Sequence, residues 1–433
     1  MMLRVGPSKL QGTVEVPPSK SVAQRLIAAA ALSPGASMIR GIGDCDDVTA
    51  ALGAVAGLGA TVELGETDVR ITGFGGKPVP RMPVVDLGES GLGVRMFAPI
   101  AACGAMPVTL TGTGSLLGRP METWERTEGL EGVISTTSGK LPLRIQGPLR
   151  AGEYRLDASM SSQFATGLLM ALPTLDGNST LILENPTSRP YIDLTCSLLT
   201  FFGLEITEET DGCFRIPGGQ SYVPQSIRVD GDWSAAATLL VAGMLAADPV
   251  LTVAGLDNRF PQADEAIRGA LLFAGGAMSG TDNGIQIAQR PVRAFDVNLE
   301  HCPDLFPALA ALAAFADRPS RLRGAGRLAY KESDRAEAIQ RCWQQAGISV
   351  TREEDALVVH PRKGKDKVLP ARIHAGGDHR IAMACALLGL AGAPIEIDGA
   401  ECVAKSYPAF FDDLEAIGGK IQWVSAPGNG DKL

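Results

Sequence analysis

A helix-like apolar stretch that stops at a glycine and runs straight into a strand-like stretch occurs six times in this chain. The copies read AVAGLGATVEL, GLEGVIST, LTFFGLEIT, LLFAGGAMSG, WQQAGISVT and LEAIGGKIQW, and the second is the weakest match. Their marker glycines are Gly59, Gly132, Gly203, Gly275, Gly347 and Gly418, spaced by 73, 71, 72, 72 and 71 residues. A fixed period of this kind marks equivalent structural units. Six units nearly exhaust the 433 residues and divide most simply as three plus three, in line with the two domains expected at this length. Chemistry is then expected where the units differ.

Several apolar stretches predict helices: VAQRLIAAAAL capped by Ser19 or Ser21, QFATGLLMALPTL, SAAATLLVAGMLAA from Ser234, FPALAALAAFA from Phe306 and HRIAMACALLGLAG from His379. They are apolar on nearly every side, and such helices are buried on all sides. A membrane bundle is the other home for them. The longest apolar run, near Ala235–Ala247, is shorter than the ~18 residues a span needs. The helices are therefore expected inside, enclosed by strands such as VTLTG (108–112) and IEIDG (395–399). The segment Ile227–Asp232 reads as the crossover between halves, and the polar tail Ser425–Leu433 as frayed. The N-terminus lacks an apolar signal core, and eight scattered cysteines with no CxxC pair indicate neither a disulfide framework nor a zinc site. A reducing cytoplasm fits. A net charge of −9 argues against a basic nucleic-acid-binding face.

Against that acidic background, cations recur at the starts of buried helices. Lys20 and Ser21 open the first, with Arg25 one turn on. A helix N-terminus favours an anion, so a lysine there needs a reason. Ser161, Ser162 and Gln163 form a neutral cradle suited to phosphate, or simply a cap. In Lys331-Glu332-Ser333-Asp334-Arg335 the two cations are four apart and are expected to share one helical face, though a solvated charge run is the ordinary reading. Arg380 opens an almost wholly apolar helix. Lys and Arg are rarely buried unless paired, so the expected partners are ligand anions, phosphate or carboxylate. Gly88-Glu89-Ser90-Gly91, Arg119-Pro120, Ser188-Arg189-Pro190-Tyr191, Pro303-Asp304 and Lys405 are weaker signals, each compatible with a loop.

From about Gly12 to Ile421 the chain resembles the 3-phosphoshikimate 1-carboxyvinyltransferase (EPSP synthase) family. The resemblance rests on SKSVAQR, GESGLGVR, RPM, SSQ, SRPY, PD, KESDR, DHRIAM and KSYP, nine motifs in family order. It implies an α/β fold, a two-domain inside-out α/β barrel in which each domain has three βαβαββ repeats with helices facing inward. The domains would be 1–18 with 232–433, and 19–231, with the active site in the cleft between them and closure on ligand binding. It also implies transfer of the enolpyruvyl group of phosphoenolpyruvate to the 5-hydroxyl of 3-phosphoshikimate, with glyphosate as an inhibitor at the phosphoenolpyruvate site. No cofactor or metal, nucleic acid or membrane is implied, and a monomer is expected.

Carried over to this sequence, the resemblance gives 3-phosphoshikimate Lys20, Ser21, Arg25, Ser161, Ser162, Gln163, Ser188, Tyr191, Asp304 and Lys331. It gives phosphoenolpyruvate Lys20, Gly91, Arg119, Gln163, Arg335, Arg380 and Lys405. The catalytic residues would be Lys20, Asp304 and Glu332, with Asp304 as base for the hydroxyl and Glu332 or Lys20 serving C3. The chain departs from the family in two places. Leu92 stands where threonine is usual, and Gly326-Arg327-Leu328 stands where a Tyr-Asn-Trp run is common. Two rivals fare worse. The related transferase acting on UDP-N-acetylglucosamine typically has a cysteine in the loop that is GTGSLLG here, and Lys-Asn where this chain has Lys20-Ser21. A non-catalytic ring-forming or nucleic-acid-binding repeat protein needs basic, exposed helices.

Overall fold

All six marker glycines have φ between +76° and +116°. In the computed structural model, which describes residues 1–256 and 258–424, each lies between a helix and the strand that follows it. The tail expected to fray lies outside the described residues. The second copy matches weakly because its helix is only Thr123–Arg126. Six four-stranded sheets result. In each, two parallel strands are followed by an antiparallel pair. Val84–Asp86 runs parallel to Val108–Thr111, which pairs with Lys140–Ile145, which pairs with Ile134–Thr137. With the helices between strands, each repeat is βαβαββ.

The chain forms two compact units. A middle unit comprises Pro18–Asp230 and Asn258–Gln262; a terminal unit comprises Met1–Pro17, Gly231–Asp257 and Ala263–Leu433. Both are closed by strands distant in sequence. In the middle unit Ser226–Arg228 runs parallel to Ala36–Arg40. In the terminal unit Leu10–Glu15 runs parallel to Ala247–Ala254, and Met2–Gly6 lies between Ile395–Asp398 and Lys420–Val424.

Each unit holds three helices without a polar face. In the middle unit they are α1 (Lys20–Leu32), α2 (Gly91–Ala102) and α3 (Ser162–Ala171). In the terminal unit they are α4 (Trp233–Ala246), α5 (Phe306–Ala313) and α6 (His379–Ala391). Every residue of α2 and α5 is buried, and in α4 only Ser234 is not. Within the terminal unit α4, α5 and α6 pack on one another, and within the middle unit α2 packs on α1 and α3. Burying side chains such as Leu239, Leu240 and Phe97 contributes roughly 1.5–3 kcal/mol each. Polar groups are then confined to helix ends. Ser90, Ser161, Asp232 and Asp378 accept a first-turn backbone N–H of α2, α3, α4 and α6. Ser19, an expected cap, makes no such bond; its hydroxyl donates instead to Gln262 Oε1 at 3.1 Å. Among the described residues no helix is long and apolar enough to cross a membrane.

The short segment Asn258–Gln262 is a plug in the middle unit. Asp230 Oδ2 accepts the backbone N–H groups of Arg259 and Phe260, at 2.9 and 2.8 Å. Phe260 is buried edge-on to Phe201, with ring centroids 5.7 Å apart, and Arg259 lies over the Phe201 ring.

The marker glycines are not equivalent in cost. At Gly59 φ is +116°, and a Cβ would sit 2.7 Å from the carbonyl oxygen of Val79. At Gly132 φ is +76° and a Cβ would meet nothing within 4 Å. Gly59→Ala should therefore cost roughly 2–4 kcal/mol, combining strain and clash. Gly132→Ala should cost about 1 kcal/mol, the left-handed penalty alone. Equal melting shifts for the two proteins would contradict this account.

Candidate active site

The middle unit gathers its predicted residues at the first turns of α1, α2 and α3. Lys20 Nζ lies 3.1 Å from Asp47 Oδ2, both largely buried. Arg25 is 1% exposed. It donates from Nε to Thr195 Oγ1 at 3.0 Å, from Nη1 to the Ser21 carbonyl at 2.9 Å, and from Nη2 to Thr166 Oγ1 at 3.2 Å. The Tyr191 carbonyl lies 3.5 Å from Nη2. Among the described residues no carboxylate pairs with Arg25. Burial pushes its pKa down to about 10, and the Tyr191 phenol counters this, so it is still charged at neutral pH. A buried cation held only by neutral groups lacks compensation, and an anionic ligand would supply it.

At α2 and α3 the first turns adjoin. A Cβ added to Gly91 would lie 2.5 Å from Arg119 Nη1 and 3.6 Å from Gln163 Oε1. Gln163 Oε1 accepts from Arg95 Nη1 at 2.7 Å, and Arg95 also donates to the Pro120 carbonyl at 3.3 Å. Arg119 is buried and donates to Ser115 Oγ at 3.4 Å, which in turn donates to Glu89 at 2.8 Å. Ser161 caps α3, and the Ser162 carbonyl accepts from Thr166, tying α3 to Arg25. Ser188 is buried in the left-handed region at φ +52°, and its carbonyl accepts the Tyr191 N–H. Leu92, the departure from the family pattern, is buried in the apolar core of this unit.

The terminal unit centres on Arg335, 1% exposed. It donates from Nη1 to Asp304 at 2.5 Å, from Nη2 to Glu332 at 2.8 Å, and from Nε to Asp378 at 2.9 Å, with a second Nη2 bond to Asp378 at 3.3 Å. Lys331 Nζ and Arg380 Nη2 approach Asp304 at 3.3 and 3.4 Å. The expected helical face shared by Lys331 and Arg335 does not form. Asp334 caps a helix that begins at Arg335, so Lys331 and Glu332 lie on the preceding loop, from which Lys331 reaches Asp304 and Glu332 accepts from Arg335. Burial alone would raise the Asp304 carboxyl, but Arg380, Lys331 and Arg335 hold it well below the usual carboxylate range. Burial lowers Lys331, opposed by Asp304. Lys405 is buried on the turn Ala400–Lys405, which packs against α6. Arg327 donates to the Glu300 carbonyl at 3.4 Å and is near enough to Lys331 to depress its pKa.

The structure adds four residues to those read from the sequence. Asp47 pairs with Lys20; Arg95 orients Gln163; Asp378 anchors Arg335; and Asp264, buried beside Ser234, carries a carboxyl raised to about 6 by burial and by Asp304. Arg95 was open to discovery, being an arginine inside the otherwise apolar α2, as Arg380 is in α6. Asp378 opens the DHRIAM motif; Asp47 and Asp264 had no comparable signal.

Comparison with known proteins gives one consistent result. Residues 5–414 match the family described as EPSP synthase (3-phosphoshikimate 1-carboxyvinyltransferase). A 3-phosphoshikimate 1-carboxyvinyltransferase of Clostridium kluyveri is 37% identical over 423 residues, covering 97% of this chain and 98% of the relative. One from Methanocorpusculum labreanum is 35% identical over 428 residues, covering 98% and 100%. The fold is similar to the solved EPSP synthase of Acinetobacter baumannii, with a TM-score of 0.81 at 26% identity, covering 98% of this chain and 100% of that one.

Replacing Arg335 by methionine leaves Asp304, Glu332 and Asp378 without their shared cation. Near neutral pH this should cost roughly 3–5 kcal/mol. Asp304, held low in part by Arg335, then titrates at higher pH, so the penalty should shrink as pH falls to about 5. Thermal melts of both proteins across that range test this, and a pH-independent difference would argue against the cluster as the cause.

Proposed function

The chain belongs to the EPSP synthase family, and we propose from that premise that it transfers the carboxyvinyl group of phosphoenolpyruvate to the 5-hydroxyl of 3-phosphoshikimate. The products are 5-enolpyruvylshikimate 3-phosphate and phosphate, the shikimate-pathway step toward aromatic amino acids. The observation that carries the reading is Arg25, a buried guanidinium with no carboxylate partner among the described residues, placed beside the first turns of buried helices that favour anions. Both substrates are polyanions.

The reaction is an addition followed by an elimination. The hydroxyl oxygen bonds to C2 of phosphoenolpyruvate, its proton passes to a base, and C3 takes a proton. The C2–O bond to phosphate then breaks as C3 returns its proton. In this reading Ser161, Ser162, Ser188, Gln163 and Tyr191 hold 3-phosphoshikimate together with Ser21, Arg25 and Lys331. Lys20, Gly91, Arg119, Gln163, Arg380 and Lys405 hold phosphoenolpyruvate. Arg335 commits four of its five N–H donors to carboxylates. Its share in phosphoenolpyruvate binding is therefore the remaining Nη1 hydrogen and the orientation it gives Glu332 and Asp304.

Asp304 is the base for the hydroxyl. Three cations make it a weak base in the unliganded protein, as the depressed carboxyl indicates. Substrate phosphate and carboxylate compete for Lys331 and Arg380, and Asp304 gains basicity only when both substrates are in place. Lys20 and Glu332 serve C3.

Asp304→Asn preserves shape and removes the proton acceptor. Turnover should fall ~10²–10⁴-fold while the affinity for 3-phosphoshikimate changes far less. A variant with normal kcat and weakened binding would make Asp304 a binding residue. Gly91→Ala presses a methyl against Arg119. It should raise the KM for phosphoenolpyruvate and weaken inhibition by glyphosate together; unaltered values for both would remove Gly91 from that subsite.

A further inference from the structure

Ser161, Ser162, Gln163, Ser188 and Tyr191 stand on two loops that leave neighbouring strands. Glu153–Asp157 and Ser179–Glu184 run parallel, with Asp157 opposite Glu184. The first loop, residues 158–161, leads into α3 and its Ser162 and Gln163. The second, residues 185–188, leads into the helix Arg189–Phe201, whose first turn carries Tyr191. Two hydrogen bonds fasten the loops at their roots and tips. The Ala158 N–H donates to the Glu184 carbonyl at 2.9 Å. The Thr187 hydroxyl donates to the Ala158 carbonyl at 2.9 Å, with the Ser159 carbonyl a second acceptor at 3.2 Å.

Ser188 is in the left-handed region, at φ +52° and ψ +44°. A residue with a Cβ stays there only where its surroundings hold it. Thr187, on one side, is stitched to the first loop. Arg189 stands on the other side, at the first position of a helix. A cation there opposes the helix dipole, so its place needs another reason. Arg189 also lies between two residues assigned to 3-phosphoshikimate, yet its guanidinium is taken up by carboxylates. Nε donates to Asp193 at 2.7 Å, Nη1 to Glu208 at 2.7 Å and to Asp211 at 3.0 Å, and Nη2 to the second oxygen of Glu208. Glu208 Oε1 accepts the Gly212 N–H as well, at 2.9 Å. Arg189 is thus bolted to the hairpin formed by Thr207–Thr210 and Cys213–Ile216.

We propose that Thr187 and Arg189 are positioning residues of the 3-phosphoshikimate subsite, which anchor the chain on both sides of Ser188 and hold it in its left-handed conformation before the ligand arrives. The inference rests on the function proposed above. A turn that is already set spares binding the entropy of ordering it. In this account neither side chain touches the ligand, and the charge of Arg189 is met by Asp193, Glu208 and Asp211 rather than by phosphate.

Thr187→Val keeps the shape of the side chain and removes the hydroxyl; Thr187→Ser keeps the hydroxyl. The measurement is the Kd of 3-phosphoshikimate by calorimetry, together with the KM for phosphoenolpyruvate at saturating 3-phosphoshikimate. Thr187→Val should weaken 3-phosphoshikimate about fivefold to tenfold, the scale of one lost hydrogen bond, and leave the KM for phosphoenolpyruvate unchanged. Thr187→Ser should restore the wild-type Kd. Wild-type affinity in Thr187→Val would overturn the proposal, as would an equal loss for both substrates, the mark of a general structural defect. Glu208→Ala is the second arm and stands even if Thr187→Val fails to fold. If Arg189 positions Ser188, loosening it weakens 3-phosphoshikimate by a similar factor. If Arg189 binds phosphate instead, releasing it from Glu208 tightens the complex, so tighter or unchanged binding overturns the proposal. A wild-type protein that binds no 3-phosphoshikimate would defeat the functional reading, and this inference with it.

Discussion

A helix with no polar face can be stable in water only if it is covered on every side. α1 to α6 are such helices, and the architecture follows from enclosing them. Three per unit, they form the interior, and the sheets lie around them. Helix flanks are then unavailable for polar chemistry, and only helix ends remain. There, unsatisfied backbone N–H groups carry partial positive charge. Candidate site residues stand at five of these six N-termini: Lys20, Gly91, Ser162, Asp304 and Arg380. Scaffold and chemistry are consequences of the same burial.

The two units hold their cations differently. In the middle unit Arg25 rests on hydroxyls and carbonyls, so its charge is uncompensated. In the terminal unit Lys331, Arg335 and Arg380 face Asp304, Glu332 and Asp378, three cations against three carboxylates. An anion entering the first gains a partner outright. One entering the second must displace a carboxylate, and in the proposed mechanism that exchange frees Asp304 to act as a base.

The repeat and the buried helices were legible because both are local patterns. A glycine at positive φ and an apolar run declare themselves within a dozen residues. Arg25 and Arg380 were legible for the same reason, as charges out of place in apolar runs. The helical face assumed for Lys331 and Arg335 failed on one residue, since Asp334 competes as a cap and starts the helix late. Asp47 and Asp264 acquire meaning only from partners brought near by folding, and the ion pair of Asp378 likewise appears only in the folded chain. Asp264 meets Ser234 from 30 residues away, and Asp378 meets Arg335 from 43. Acidic residues in loops are too common for sequence to single these out.

The way the chain closes its sheets bears on how the protein is made. On a ribosome the middle unit has its last strand once Arg228 has emerged, yet Phe260, which plugs it against Phe201, arrives later. Until then that unit is a nearly finished core with an aromatic socket open. The terminal unit waits longer. Met2–Gly6 pairs with Ile395–Asp398 and Lys420–Val424, which are synthesised far later. Met2–Gly6 must stay unpaired until those strands have emerged, and closing so long a loop is slow. Assembly is thus ordered in time: the middle unit can mature first, whereas the half that holds Asp304 and Arg335 is completed only once Lys420–Val424 has emerged.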